Sequence, residues 1–249
     1  MKIGAIIQAR MGSTRLPGKV LKTVLNKPLL EYQIERVKRA HLLDEIIVAT
    51  TTSGKDQPIV DLCGGLSIPV FRGSEEDVLS RYLHAANEYS IDVIVRLTSD
   101  CPLIDPDIIN RTIDLFLKGD FDYTANIVKR TYPRGLDVEV FSKETLTKMN
   151  KLAGSKWYRE HVTTYIYDHL ADFKIGSLEG DEDWGLLRWT VDTQEDFCLI
   201  ENLLTALYPV NPAFLMNDVL QLLKIHPEWL SINSLIQQKG RTLEEDIEK

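Results

Sequence analysis

Short apolar runs alternating with helical stretches constrain this chain more than any other feature of it. Ile3-Gly4-Ala5-Ile6-Ile7, Glu45 to Thr50, Pro69 to Arg72 and Val93 to Leu97 are too short for helices and lack a 3.6-residue period, so each reads as a strand. Between them, Leu29 to Ala40 carries apolar residues at Leu29, Leu30, Ile34 and Val37 with charges in between, one face of a helix. Pro58 opens a short helix stopped by Gly64-Gly65, and Pro106 to Leu117 is another helix. Ser74 with Asp77 forms a capping box, Asp replacing Glu, ahead of a helix from Val78 to Tyr89. Such alternation implies right-handed crossovers and a mainly parallel α/β sheet covered on both faces. Ligands of such sheets bind beyond the carboxyl ends of the strands.

The first strand empties into Gln8-Ala9-Arg10-Met11-Gly12-Ser13-Thr14-Arg15-Leu16-Pro17-Gly18-Lys19. Glycine allows a backbone to approach a ligand closely, and successive amides in such a turn form a concave anion site. Arg10, Arg15 and Lys19 add full positive charge, with arginine suited to bidentate contact with phosphate. The whole chain has a formal charge of -8, yet residues 1–30 hold six Lys/Arg and no acid before Glu31. A local excess of that sign in an acidic protein points to a small polyanion rather than to nucleic acid, which demands a broad basic face. The alternative is a solvated basic loop at a sheet edge. Walker A is excluded, because five residues separate Gly12 from Gly18-Lys19 and Val20 follows the lysine.

With 249 residues the chain can bury a substantial core as one domain, and 44% hydrophobic with 27% charged residues is ordinary for a soluble protein. No apolar run approaches the ~20 residues of a membrane span. Cys63, Cys101 and Cys198 are odd in number and lack a CxxC, so neither a disulfide framework nor a thiolate zinc site is indicated, and a reducing cytoplasm fits. Leu243 to Lys249 reads as an acidic tail.

The second half changes pattern. Arg134-Gly135-Leu136-Asp137-Val138-Glu139-Val140-Phe141 alternates like a strand, and Ser142 opens a helix. Trp157 to His169 is helical by pattern, Leu187 to Val191 a strand, and Thr193 with Asp196 caps a helix to Tyr208. Leu215 to Ile225 and Pro227 to Gln237 close the domain as helices. Asp100, in Arg96-Leu97-Thr98-Ser99-Asp100, stands just past a strand end, where a carboxylate can hold magnesium beside a nucleoside triphosphate or simply cap the following turn. Asp192, in Trp189-Thr190-Val191-Asp192-Thr193, is placed in the same way; Glu195 and Asp196 read as first-turn acids that suit the helix dipole.

Ala9, Arg10, Ser13, Arg15, Leu16, Pro17 and Lys19 fit the pattern A-R-x-x-S-x-R-L-P-x-K, and G-L-D-V-E-V-F, R-E-H-V-T and V-D-T-x-E-D follow downstream. On these motifs, from Ile3 to about Tyr208, the chain resembles the sugar cytidylyltransferases, in the branch serving spore coat polysaccharide biosynthesis. The resemblance implies a Rossmann-like three-layer α/β fold of the nucleotide-diphospho-sugar transferase type. Residues 1–240 form one domain, with about 120–180 a substrate and dimerisation insertion and 241–249 the tail. It implies magnesium-dependent transfer of CMP from CTP to a sugar, with release of pyrophosphate and assembly as a homodimer. Arg10, Lys19 and Asp100 are then catalytic; Ala9, Arg10, Gly12, Ser13, Arg15 and Lys19 bind nucleotide. Asp100 and Asp192 hold the metal, while Arg134, Asp137, Glu139 and His161 face the sugar.

Alternatives remain at several points. Asp137 and Glu139 are equally the polar side of a strand, and His161 equally a helix-surface histidine beside an acid. Trp157, Tyr158, Tyr165 and Tyr167 suit a dimer interface or the core. The acceptor is open between a nonulosonic acid, another acidic sugar and another hydroxyl compound, because sialic-acid and deoxy-manno-octulosonate enzymes differ around Thr98-Ser99-Asp100. A nucleotide-sugar glycosyltransferase would need a D-x-D after a central strand; Asp120-Phe121-Asp122 instead follows a helix end. The third alternative is a non-catalytic nucleotide-binding component of polysaccharide assembly.

Overall fold

A computed structural model describes residues 1–237. The tail expected over 241–249 lies outside the described residues, as do the last residues of the 1–240 domain. The strands are β1 (Ile3–Gln8), β2 (Thr23–Val24), β3 (Lys27–Pro28), β4 (Glu45–Thr51), β5 (Val70–Gly73), β6 (Val93–Thr98), β7 (Tyr123–Ala125), β8 (Glu139–Ser142) and β9 (Ile175–Ser177). The helices are α1 (Leu29–Val37), α2 (Gln57–Gly65), α3 (Val78–Glu88), α4 (Pro106–Lys118), α5 (Lys143–Leu152), α6 (Lys156–His161), α7 (Thr164–Asp168), α8 (Gln194–Leu207) and α9 (Met216–Ile225).

Seven strands form one sheet in the order β5-β4-β1-β6-β8-β7-β9. Only β8 runs against its neighbours, pairing antiparallel with β6 and β7, so the sheet is α/β and mainly parallel. Residues 120–180 supply β7, β8 and β9 to this same sheet. Successive side chains on a strand face opposite ways. Accordingly Ile3, Ala5, Ile7, Val93, Val95 and Leu97 enter one core with α1, α2, α4, α8 and α9, whereas Ile6 and Ile94 enter a second core with α3, α5 and α7. The result is three layers. No helix of the described residues is long and apolar enough to cross a membrane.

Several elements differ from the sequence reading. Leu187 to Val191 is not a strand: Arg134 and Arg188 make an isolated bridge. Its backbone bonds go to loops instead, Trp189 N–H to Arg134 O at 2.7 Å and Val191 N–H to Asp100 O at 2.8 Å. The alternating stretch from Arg134 yields strand only from Glu139. Trp157 to His169 breaks into α6 and α7 at Val162, whose φ of 59° and ψ of -69° close a γ-turn with Thr163 N–H on His161 O at 2.7 Å. Asp77, not Ser74, caps α3, accepting from Ser80 N–H at 2.9 Å. Pro227 to Gln237 holds only a short 3-10 turn over Pro227–Ser231. Tyr158 and Tyr165 are buried in the second core, with Trp157 and Tyr167 packed against it.

Gly135 joins two of the motifs. Its φ is +100°, and a Cβ there would lie 2.6 Å from the backbone carbon of Trp189. Only glycine lets these segments approach so closely.

Candidate active site

The loop after β1 is folded by its own backbone. Met11 O accepts the amides of Ser13 at 2.9 Å and Gly18 at 3.1 Å, closing a ring that Gly18 leaves with φ +66°. Asp56, beyond β4, anchors this ring by accepting Met11 N–H at 2.7 Å. Burial works against the Asp56 charge, but hydrogen bonds from Thr51 and Met11 hold its carboxyl below the usual range. Lys19 emerges from the ring into a short 3-10 turn.

Next to it, Ser99 N–H donates to Gln8 O at 3.1 Å, which sets Asp100 beside the loop. Asp100 O in turn receives Val191 N–H, so the two segments bearing the candidate metal ligands are stitched together. Lys19 Nζ lies 2.7 Å from Asp192 Oδ1 and 3.4 Å from Asp100 Oδ2. Arg15 reaches Asp192 Oδ1 at 3.0 Å, and Arg188 holds Asp192 Oδ2 at 2.7 Å. Burial opposes the Lys19 charge, but Asp100 and Asp192 outweigh it and hold the ammonium above the ordinary lysine range. Burial likewise opposes ionisation of Asp100, and Lys19 with hydrogen bonds from Thr98 and Cys101 brings its carboxyl below the ordinary range.

These groups line one pocket of about 320 Å³, which includes Ala9, Arg10, Gly12, Ser13, Arg15, Lys19, Asp100, His161 and Asp192. It opens at the carboxyl ends of β1 and β6. Arg134, Asp137 and Glu139 are not among its lining residues. Asp137 forms a two-point ion pair with Arg130 at 2.7 and 3.0 Å. Glu139 is 3% exposed and spent inside the protein: Arg96 holds one oxygen, while Tyr123 and Thr163 hydroxyls donate to the other at 2.6 Å. Glu139 is taken up by Arg96 and two buried hydroxyls, and Asp137, 27% exposed, by Arg130, pairings that the alternation of the strand could not reveal. Asp120 and Asp122 of the D-x-D tie down Lys174 and are not among this pocket's lining residues.

The pocket also includes Gln8, Arg81, Arg96, Thr98 and Glu160, which the motif reading did not single out. Arg96 carried a signal: it is a charge inside the apolar run Val93-Ile94-Val95-Arg96-Leu97. Arg188 is a second omission. Its guanidinium joins Asp192 to the fully buried Asp196, which also accepts the amides of Asp192 and Thr193 and the Asn233 amide. Asp196 is therefore a buried strut as well as the partner of Thr193 in the capping box of α8.

Two carboxylates converging beside a loop of amides and cations suit a hard divalent ion, which takes oxygen donors and leaves positions for phosphate and water. The described residues hold no group of three or more His, Cys, Asp or Glu that could hold a metal ion.

The family model for cytidylyltransferases matches residues 4–221. The chain belongs to the cytidylyltransferase family. This cytidylyltransferase is 43% identical to an uncharacterized protein of Methanocaldococcus jannaschii over 98% of this chain and all of the relative. It is 36% identical to the spore coat polysaccharide biosynthesis protein SpsF of Bacillus subtilis, over 77% of this chain and 82% of that protein. A cytidylyltransferase structure from Leptospira borgpetersenii superposes with a TM-score of 0.89 at 34% identity, covering 96% of this chain and all of that one. As a cytidylyltransferase the chain is a nucleotidyltransferase, and the pocket beyond β1 and β6 is its candidate active site.

Proposed function

We propose that this cytidylyltransferase transfers CMP from CTP to a sugar hydroxyl and releases pyrophosphate, in the assembly of a surface or spore coat polysaccharide. The observation that carries the reading is the convergence of Lys19 and Arg15 on Asp100 and Asp192 in one pocket beside the loop amides. The hydroxyl oxygen attacks the α-phosphorus in line, the bond to the bridging oxygen breaks, and the electron pair leaves with pyrophosphate. Little covalent chemistry is asked of the protein, so positioning and charge stabilisation carry the rate. Arg10, Arg15, Lys19 and the amides near Gly12 and Ser13 hold the triphosphate and take up charge growing on the leaving group. Asp100 and Asp192 would hold magnesium, which when bound supplies positive charge at the α-phosphate. His161 and Arg96 line the remainder of the pocket, where a sugar would be oriented.

The similarity to a spore coat polysaccharide protein supports a polysaccharide precursor as the acceptor. A cytoplasmic homodimer accords with this role; sedimentation as a monomer at micromolar concentration would remove the dimer. The deciding experiment is pyrophosphate release with magnesium, comparing CTP, UTP, ATP and GTP across a panel of sugars. Release that requires CTP and one sugar, and falls about a hundredfold or more in Lys19→Ala and Asp100→Ala, establishes the reaction. If no triphosphate binds, the reading is wrong.

A further inference from the structure

Asp192 spends both oxygens on cations: Lys19 and Arg15 on one, Arg188 on the other. Lys19 reaches across to Asp100 as well, so its ammonium stands between the two carboxylates offered as metal ligands. The Lys19 side chain is 13% exposed and that of Asp192 is 9% exposed. Charges so little hydrated cannot be separated without compensation, because removing one member strands the other in a poorly solvated place. A divalent cation bridging the two carboxylates would meet the Asp100 Oδ2 and Asp192 Oδ1 atoms that Lys19 holds. Two positive centres sharing them would also repel each other at close range.

We infer that Lys19 and the divalent cation are alternative occupants of the Asp100–Asp192 pair, and that a polyphosphate frees the pair by drawing Lys19 and Arg15 onto its own oxygens. In that exchange every charge finds a new partner: ammonium and guanidinium move from carboxylate to phosphate, and the cation moves onto the carboxylates. Cation without polyphosphate leaves Lys19 displaced with no anion to receive it. Polyphosphate without cation leaves Asp100 uncompensated. Entry of the two is thereby coupled by partner exchange at one lysine. The polyphosphate half of this inference rests on the proposed nucleotidyl transfer; the cation half rests on the ion-pair geometry alone.

The test uses Mn2+ and the full chain without nucleotide, following the free-ion signal by electron paramagnetic resonance. Lys19→Met is expected to bind Mn2+ about tenfold or more tighter than the wild type. Arg10→Met removes the same charge from the same pocket, but Arg10 pairs with Glu75 and Glu160 rather than with either aspartate. It should bind Mn2+ like the wild type, and Asp100→Asn added to Lys19→Met should erase the gain. Equal affinity in wild type and Lys19→Met overturns the inference. So does an equal gain in Arg10→Met, which would mean a general field effect.

A second arm avoids Lys19→Met should that variant fold poorly. In excess EDTA, titration calorimetry with CTP should show tighter binding to Asp100→Asn than to wild type, by about threefold or more. Equal or weaker CTP binding by Asp100→Asn overturns the inference. Absence of CTP binding in every variant refutes the proposed function, while the Mn2+ arm still decides whether Lys19 excludes the cation.

Discussion

Lys19 and Asp192, 173 positions apart in sequence, meet at 2.7 Å and hold the basic loop against the segment that precedes α8. That pair makes a single site of two motifs at opposite ends of the chain.

Arg188 is the buried cation behind Asp192. Arg188→Met leaves Asp196 fully buried with its charge uncompensated, so unfolding free energy should fall by about 3–5 kcal/mol. Arg188→Lys keeps the charge but loses the fork that spans Asp192 and Asp196, and should fall in between. Urea denaturation of the three proteins orders them; a loss within ~0.5 kcal/mol for Arg188→Met would contradict the strut.

Gly135→Ala meets the Trp189 backbone and also carries an L side chain at φ +100°. Strain and clash together should cost about 2 kcal/mol or more. Because Trp189 is pinned to Arg134, the same change should displace Asp192 and weaken CTP binding. Thermal unfolding and calorimetry check the two effects separately.

Glu139 has one arm to Arg96 and another to Tyr123 and Thr163. Glu139→Gln can accept both hydroxyls on its amide oxygen only by turning its NH2 toward Arg96, and can offer Arg96 a neutral oxygen only by turning the NH2 toward the hydroxyls. Its unfolding free energy should drop by about 3 kcal/mol, the cost of stranding a buried charge. Thr163→Val removes one neutral donor and should cost about 1 kcal/mol. The reverse order, read from urea melts, would show that the Arg96 arm is not the one that matters.

The Lys19–Asp100 pairing has a defined pH window. Asp100 titrates below its ordinary 3.8, so its contribution is present above that value and is lost as pH falls through the folded value. Lys19 titrates above its ordinary 10.5, so its contribution is present below that value and is lost as pH rises through the folded one. The stability difference between wild type and Lys19→Met should therefore form a plateau between these limits and shrink at both ends. Denaturant melts across pH give the curve; a difference that varies strongly near neutrality would contradict the assignment.

Much of the fold was legible because it depends on local rules. Apolar runs too short for helices became β1, β4, β5 and β6, and caps such as Thr193 with Asp196 opened the helices expected of them. The Leu187–Val191 stretch misled because apolar alternation marks an extended buried segment without saying what its amides bond to; here they bond to Arg134 and Asp100. Val162 misled for another reason. Its turn is held by Thr163 on Glu139 and by complete burial, which no local pattern encodes.

By itself the sequence determined the alternation of β1, β4, β5 and β6 with α1 to α4, the concentration of positive charge and glycine after β1, and the placing of Asp100 and Asp192 at the ends of extended segments. These follow from period, propensity and charge over neighbouring residues. Only the tertiary structure decided which polar groups face the pocket and which face one another. Asp137 and Glu139 are consumed by Arg130 and by Arg96, while Arg81, Arg96 and Glu160 reach the pocket from α3, β6 and α6. The physical reason is that a buried charge must find an opposite partner, and in a crossed-over sheet that partner comes from a strand or helix distant along the chain.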